Sequence, residues 1–328
     1  VTVKVEDHVI HVKGDTILIA TGASENMVTF PGWTLPGVIG AGAAQTMMNL
    51  HGTLPGKRVL MLGSGNVGLV VSFQLMQAGC EVVAVADAAP RVGGYGVHAA
   101  KVARCGVPFY LSHTIISADG EDCVTGVTIG EVDKNWQIIP GTEKHFDVDT
   151  ICLAVGLSPM SKLCDMVGCA MEDNPAKAGF VPTVNEYGET SVPGIYAAGD
   201  VSGIEEASSA MIEGRIAGIA AAARLGFISE ETCKEEAAKQ EAALEGLRQG
   251  MFAPGMTEEE LSKFPAASYQ KAGIHPVIEC TQNIPCNPCQ DACPKHCIRI
   301  GSNITALPSI DPEKKCTGCG MCVASCSG

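Results

Sequence analysis

Four short apolar runs, each stopping at a glycine, punctuate the first two-thirds of the chain: Thr16-Ile-Leu-Ile-Ala-Thr-Gly22, Arg58-Val-Leu-Met-Leu-Gly63, Thr150-Ile-Cys-Leu-Ala-Val-Gly156 and Gly194-Ile-Tyr-Ala-Ala-Gly-Asp200. Their length is that of strands, and their glycine ends predict turns where backbone can face a ligand. By pattern alone, each fits a core strand as well as a cofactor wall. The second run continues as Gly63-Ser-Gly-Asn-Val-Gly68, then a helix-like stretch to Ala78, a break at Gly79 and a further strand, Glu81 to Asp87. Val1 to Glu6 alternates in a strand-like manner. After Phe227 the pattern turns into a charged helical stretch, Ser229 to Gly250, and Thr257 with Glu260 predicts a capping box for another short helix. This region is expected to be a solvated helical connector.

A chain of 328 residues has room for two or three domains. Its formal charge of −14 argues against a nucleic-acid partner, whose phosphates it would repel. No apolar run reaches the ~18 residues of a membrane helix, because Glu213 and Arg215 interrupt the best stretch, Ala207 to Phe227. A soluble protein without a membrane span is expected. Sixteen cysteines without a leader pattern point to a reducing compartment, the cytoplasm. The chain opens on Val1 and stops two residues after Cys326, so a piece of a longer polypeptide is expected.

The segment from Arg58 carries G-x-G-x-x-G between a strand and a helix, with an acidic residue 22 positions past Gly65. The glycines alone are weak evidence, and an ordinary βα turn is the competing reading. Within a βαβ unit of about 30 residues the combination specifies a dinucleotide. Gly63 would make the tight turn, Gly65 admit a pyrophosphate and Gly68 let helix and strand pack, with Asn66 and Val67 opening a helix whose N-terminus attracts the anion. Asp87 would accept from both ribose hydroxyls and repel a 2′-phosphate, which selects NAD(H) over NADP(H).

Nine cysteines crowd between Cys280 and Cys326. Cys316, Cys319, Cys322 and Cys326 read C-x2-C-x2-C-x3-C, the spacing that wraps a cubane iron-sulfur cluster in two-cluster ferredoxins, while Cys286, Cys289 and Cys293 read C-x2-C-x3-C-P. Asn283 stands where a first cysteine would fall, and Cys280 lies three residues before it. A proline after Cys326 is missing as well. Crossed pairing is expected: Cys280, Cys286, Cys289 and Cys326 on one [4Fe-4S] cluster, and Cys316, Cys319, Cys322 and Cys293 on the other. Zinc competes through the C-x2-C pairs but leaves five thiols idle. Cys297 fits neither run and reads as a small buried side chain, as do Cys80, Cys105, Cys123, Cys152, Cys164, Cys169 and Cys233. The eight histidines show no metal or triad spacing.

Ala20-Thr-Gly22, the inserted dinucleotide unit, Val155-Gly-Leu-Ser-Pro159 and Thr190-Ser-Val-Pro-Gly-Ile-Tyr-Ala-Ala-Gly-Asp200 resemble the two-dinucleotide-binding-domain flavoproteins over residues 1 to 226. Pro90-Arg-Val-Gly-Gly-Tyr95, Gly199-Asp-Val-Ser-Gly-Ile-Glu-Glu-Ala-Ser208 and the cysteine region resemble the alpha subunits of sarcosine oxidase, hydrogen cyanide synthase and dye-linked proline dehydrogenase. The resemblance implies an α/β fold with two nested Rossmann-like domains, the FAD domain incomplete, followed by a small α+β ferredoxin-like iron-sulfur domain. The FAD domain would take 1–55 and 145–226, the NAD domain 56–144, the connector 227–272 and the cluster domain 273–328. It implies FAD against Thr21, Gly22, Gly199 and Asp200, with Glu206 and Ala207 facing the flavin ring and Gly156 near the nicotinamide. The partners it implies are a catalytic beta-type flavoprotein subunit and an electron-accepting or donating protein. Cys164 and Cys169 lie too late in the chain for that family's redox dithiol. The expected activity is electron transfer between a nicotinamide or amine-oxidising partner, FAD and two [4Fe-4S] clusters. A stand-alone NADH:acceptor reductase and a non-enzymatic ferredoxin-like carrier are the alternatives, and the direction of flow stays open.

Overall fold

The structure is a computed structural model that describes residues 1–249, 255–264, 288–293, 296–300, 308–311, 313–314 and 322. In chain order the first elements are β1 (Thr2–Val5), β2 (His8–His11), β3 (Ile17–Ile19), β4 (Ala23–Glu25), β5 (Val38–Gly40) and α1 (Ala41–His51). Next come β6 (Arg58–Leu62), α2 (Asn66–Ala78), β7 (Glu81–Asp87), α3 (Gly96–Arg104), β8 (Phe109–Leu111), β9 (His113–Asp119), β10 (Gly126–Glu131), β11 (Lys144–Phe146) and β12 (Thr150–Leu153). Then follow β13 (Leu157–Pro159), α4 (Lys162–Met166), β14 (Met171–Asn174), β15 (Gly179–Pro182), β16 (Ile195–Ala197), α5 (Ala207–Arg224) and α6 (Glu230–Gln249). The last described elements are α7 (Glu258–Ser262), α8 (Pro288–Asp291), β17 (Ile298–Ile300) and β18 (Pro308–Ile310).

Two compact units divide the chain, one of Val1–Met27 with Val155–Pro254 and the other of Val28–Ala154 with Gly255–Gly328. The second is built on a parallel five-stranded sheet, β5-β12-β6-β7-β8, beside an antiparallel sheet, β11-β10-β9. β6 is central, which explains its unbroken apolar run: Val59, Leu60 and Met61 are fully buried and Leu62 nearly so. Each such side chain contributes about 1.5–3 kcal/mol by leaving water. Helix α2 buries Gly68, Leu69, Val71, Ser72 and Leu75, the one-sided stripe of a helix covering a sheet. The capping box expected at Thr257 is present, since its hydroxyl accepts from Glu260 N–H at 3.2 Å and Glu260 Oε2 accepts from Thr257 N–H at 2.8 Å. The short helix it starts is docked rather than solvated. Leu261 joins the core of this unit, and Glu258 Oε1 accepts from Leu111 N–H at 2.6 Å.

In the first unit β3 and β16 pair in parallel, Ile17 to Ile195 through Ile19 to Ala197. Two antiparallel pairs, β4 with β13 and β14 with β15, accompany them. Helix α6, also expected in solvent, has an inner face instead: Cys233 packs with Tyr196, Ala217 and Ala220, while Ala237 and Leu244 pack with Ile212 and Ile216 of α5. No helix among the described residues is long and apolar enough to cross a membrane.

Candidate functional site

The glycine turn leaves β6 at its carboxyl end. Gly63 has φ +109°, and its N–H donates to Ala86 C=O at 2.7 Å. A Cβ at Gly63 would lie 2.2 Å from Ala154 O, and one at Gly68 would lie 2.1 Å from Gly63 O. Both positions therefore require glycine for packing alone. Gly65 differs, because a Cβ there would meet nothing within 4 Å. That open side faces out beside the start of α2, for which Gly65 is the N-cap and Asn66 and Val67 the first residues. An anion fits such a place on backbone N–H groups and the helix dipole.

Asp87 ends β7 beside this turn. The β6–β7 register shifts between Val59 and Leu60, whose partners are Val82 and Ala84, so Val83 is bulged out. Asp87 Oδ2 accepts from Ser64 N–H at 2.7 Å and from the Ser64 hydroxyl at 2.6 Å, and Oδ1 accepts from Ala89 N–H at 2.8 Å. A carboxylate has about four acceptor positions. Three are taken, so one acceptor position remains where the sequence reading asked for two.

Ser64 escaped the sequence reading although it is fully buried and organises the turn. Its Oγ also accepts from Gly93 N–H at 3.2 Å and its C=O from Gly94 N–H at 2.8 Å, while Asn66 Oδ1 accepts from Tyr95 N–H at 2.8 Å. The Gly93-Gly94 strap thus crosses the first turn of α2, and a Cβ on Gly94 would lie 2.9 Å from Asn66 N. The paired glycines after Arg91 were the available signal. From outside, Arg91 Nη1 donates to Gly255 C=O at 2.9 Å and Val92 N–H to Met256 C=O at 2.9 Å.

The other candidate residues gather in the first unit. Thr21 and Gly22 follow β3, and Gly199 and Asp200 follow β16, so the parallel pairing brings both turns to one end of these strands. The Thr21 hydroxyl donates to Met160 C=O at 2.6 Å, and Gly22 C=O accepts from Met160 N–H at 2.9 Å. Gly156 C=O accepts from Asn26 N–H at 3.0 Å, which sets it in this unit too. Glu206 stands at the N-cap position of α5, without a side-chain cap bond, and Ala207 opens the helix. Asp200 Oδ1 accepts a long bond, 3.5 Å, from Glu205 N–H.

Glu213, reaching up from α5, was not foreseen. Its Oε2 accepts from Gly199 N–H at 2.9 Å, and Arg248 Nη2 on α6 lies 3.2 Å from its Oε1 and 2.6 Å from Glu205 Oε1. Burial raises the Glu213 carboxyl above its ordinary range, and Glu205 adds to this, while Gly199 N–H and Arg248 oppose it.

Of the eight expected metal ligands, Cys280, Cys286, Cys316, Cys319 and Cys326 lie outside the described residues. Cys293 is buried, and Cys289 and Cys322 are half-buried. Among the described residues no group of three or more His, Cys, Asp or Glu is placed to hold a metal. The thiols read as small apolar fillers are buried at Cys80, Cys152, Cys164, Cys169 and Cys233 and half-buried at Cys105. Burial, with Cys169 alongside, pushes the Cys164 thiol up to about 11, which suits a filler and not a nucleophile. Cys123 is exposed in a loop and does not fit that reading.

Residues 1–214 match the pyridine nucleotide-disulphide oxidoreductase family. An opine oxidase subunit of Agrobacterium tumefaciens (strain Ach5) is 30% identical over 244 residues, 67% of this chain and 46% of that protein. Hydrogen cyanide synthase subunit HcnB of Pseudomonas protegens is 26% identical over 243 residues, 69% of this chain and 51% of that one. The chain spans about half the length of these curated relatives. Among solved structures, thioredoxin reductase of T. acidophilum superposes with a TM-score of 0.53 at 21% identity, covering 67% of this chain and 68% of the other, a likeness of fold.

Proposed function

The chain belongs to the pyridine nucleotide-disulphide oxidoreductase family, and from that premise we propose that it is the electron-transferring subunit of a flavin and iron-sulfur oxidoreductase complex. In this reading electrons pass between a nicotinamide or an amine- or amino-acid-oxidising flavoprotein partner, FAD and two [4Fe-4S] clusters. The observation that carries it is the glycine turn, where open space at Gly65 meets a helix N-terminus and a carboxylate, within a chain that also holds two cysteine runs of cluster spacing. Two relatives named as subunits of an oxidase and a synthase support the complex.

Each part of the chain has a task in this scheme. The N-terminus of α2 and Gly65 bind a dinucleotide pyrophosphate, and Asp87, held by Ser64 and Ala89, accepts from the ribose and repels a 2′-phosphate. Thr21, Gly22, Gly199 and Asp200 line the flavin side, with Glu213 fixing the Gly199 turn through its N–H. Cys280, Cys286, Cys289 and Cys326, and Cys316, Cys319, Cys322 and Cys293, supply two sets of thiolates. Nicotinamide carries hydride, flavin takes two electrons and releases them singly, and the clusters move one at a time. A reducing cytoplasm keeps the thiols competent for iron.

The test is stopped-flow flavin reduction in the complex isolated from its native source. NADH should bleach the flavin far faster than NADPH, and Asp87→Asn, which keeps an acceptor for Ser64 but removes the charge, should narrow the gap. Equal rates in the unmutated protein would remove Asp87 from the ribose. Bleaching without any copurifying partner would favour a stand-alone reductase, and no bleaching by either nucleotide would favour a carrier.

A further inference from the structure

Cys297 is the one cysteine of the C-terminal group that neither run absorbs. Its Sγ lies 3.3 Å from Cys293 Sγ, and its backbone N–H donates to the same sulfur at 3.4 Å. Both side chains are buried, at 6% exposure for Cys293 and 2% for Cys297. Their backbones are fastened from both sides. Cys293 N–H donates to Gln290 C=O of α8 at 3.2 Å, His296 N–H donates to Cys293 C=O at 3.0 Å, and Cys297 C=O accepts from Asp311 N–H at 2.8 Å. Gln290 Oε1 accepts from Ile300 N–H at 2.7 Å, which joins α8 to the β17–β18 hairpin. The short sulfur contact thus joins two residues whose backbones are each hydrogen-bonded to other described residues.

A disulfide has an S–S length of about 2.05 Å, so the two sulfurs need to close by little more than ~1 Å. We infer that Cys293 and Cys297 form a dithiol site that closes to a disulfide, and that closure withdraws Cys293 from iron ligation. The second half rests on the cluster reading above, and the first does not. In the oxidation both S–H bonds break, the S–S bond forms, and two protons and two electrons pass to dioxygen, giving hydrogen peroxide. Dioxygen is small enough to reach a buried pair. An added dithiol reductant reverses the step by exchange, its thiolate attacking one sulfur and releasing the other. A sulfur held in a disulfide is not a thiolate, and iron needs thiolates. Disulfide and iron are therefore alternatives at Cys293.

The experiment uses the full chain, stripped of iron by chelation, exposed to air or kept anaerobic, then digested with trypsin without reduction. Cleavage after Lys295 separates the two cysteines, and the peptide His296–Arg299 contains only Cys297. In the aerated sample that peptide should appear linked to Ala272–Lys295, two hydrogens lighter than the dithiol pair, with fragmentation placing the bond on Cys293 and not on Cys280, Cys286 or Cys289, and the link should vanish in Cys297→Ala. Full alkylation of Cys297 in the aerated protein, or its linkage to another cysteine, would overturn the site. Aerated wild-type protein should then take up ferrous iron and sulfide only after added reductant, whereas aerated Cys297→Ala should retain more uptake without it. Equal uptake by both without reductant would overturn the exclusion. If neither takes up iron under reducing conditions the cluster reading fails, and the linkage still decides the disulfide.

Discussion

A methyl group added at Gly68 would sit 2.1 Å from the Gly63 carbonyl oxygen, and one added at Gly65 would meet nothing. The two substitutions separate a packing role from a ligand role. Gly68→Ala should cost on the order of 3 kcal/mol in urea unfolding, because backbone must move to admit it. Gly65→Ala should change stability by no more than ~0.5 kcal/mol, as at an uncrowded surface position. If the proposed pyrophosphate site is right, it should nonetheless weaken NADH binding markedly, measured as a dissociation constant by fluorescence, because its Cβ enters the open space beside the start of α2. Unaltered affinity would place the dinucleotide elsewhere. Asp87 shows the same economy of means, since one carboxylate both ties the turn and presents an acceptor.

Among elements, the contact of α5 with α6 carries a pH dependence of unusual sign. Burial raises the folded carboxyl of Glu213 above its ordinary 4.5, so the protonated form is the one the fold favours. Its contribution is present in full below 4.5 and is lost as the pH rises through the higher folded value. Glu213→Gln keeps an acceptor for Gly199 N–H and removes the titration. The wild-type urea midpoint should therefore fall more than that of the variant between acid and neutral pH. Parallel curves would mean that Arg248, 3.2 Å away, already compensates the charge. Glu260 of α7 works in the opposite sense, since the Thr257 backbone N–H, and then the Thr257 hydroxyl, hold its carboxyl below the ordinary range.

For the molecule as a whole the decisive measurement is metal content. Two cysteine runs call for about eight irons and eight sulfides per chain. A count near four would remove the cluster assigned to Cys280, and a single tight zinc would remove both. The dinucleotide signature, the strand ends and the capping box were legible because each is written in neighbouring residues, where covalent spacing fixes geometry. β6 reads as a buried strand from its composition alone. The Ser64–Asp87 and Ser64–Gly93 bonds span 23 and 29 residues, and Arg248 meets Glu213 across 35. Cys297 sits four residues from Cys293, a distance that neither requires nor forbids contact. What the sequence by itself determined is the glycine turn with a carboxylate at the end of the following strand, since both are local demands, while the thiol runs pose the cluster reading that metal content tests. The tertiary structure alone decided which groups hold the dinucleotide turn, which face of α6 is buried and what Cys297 touches, because these depend on how distant segments pack and on which donors packing leaves within reach.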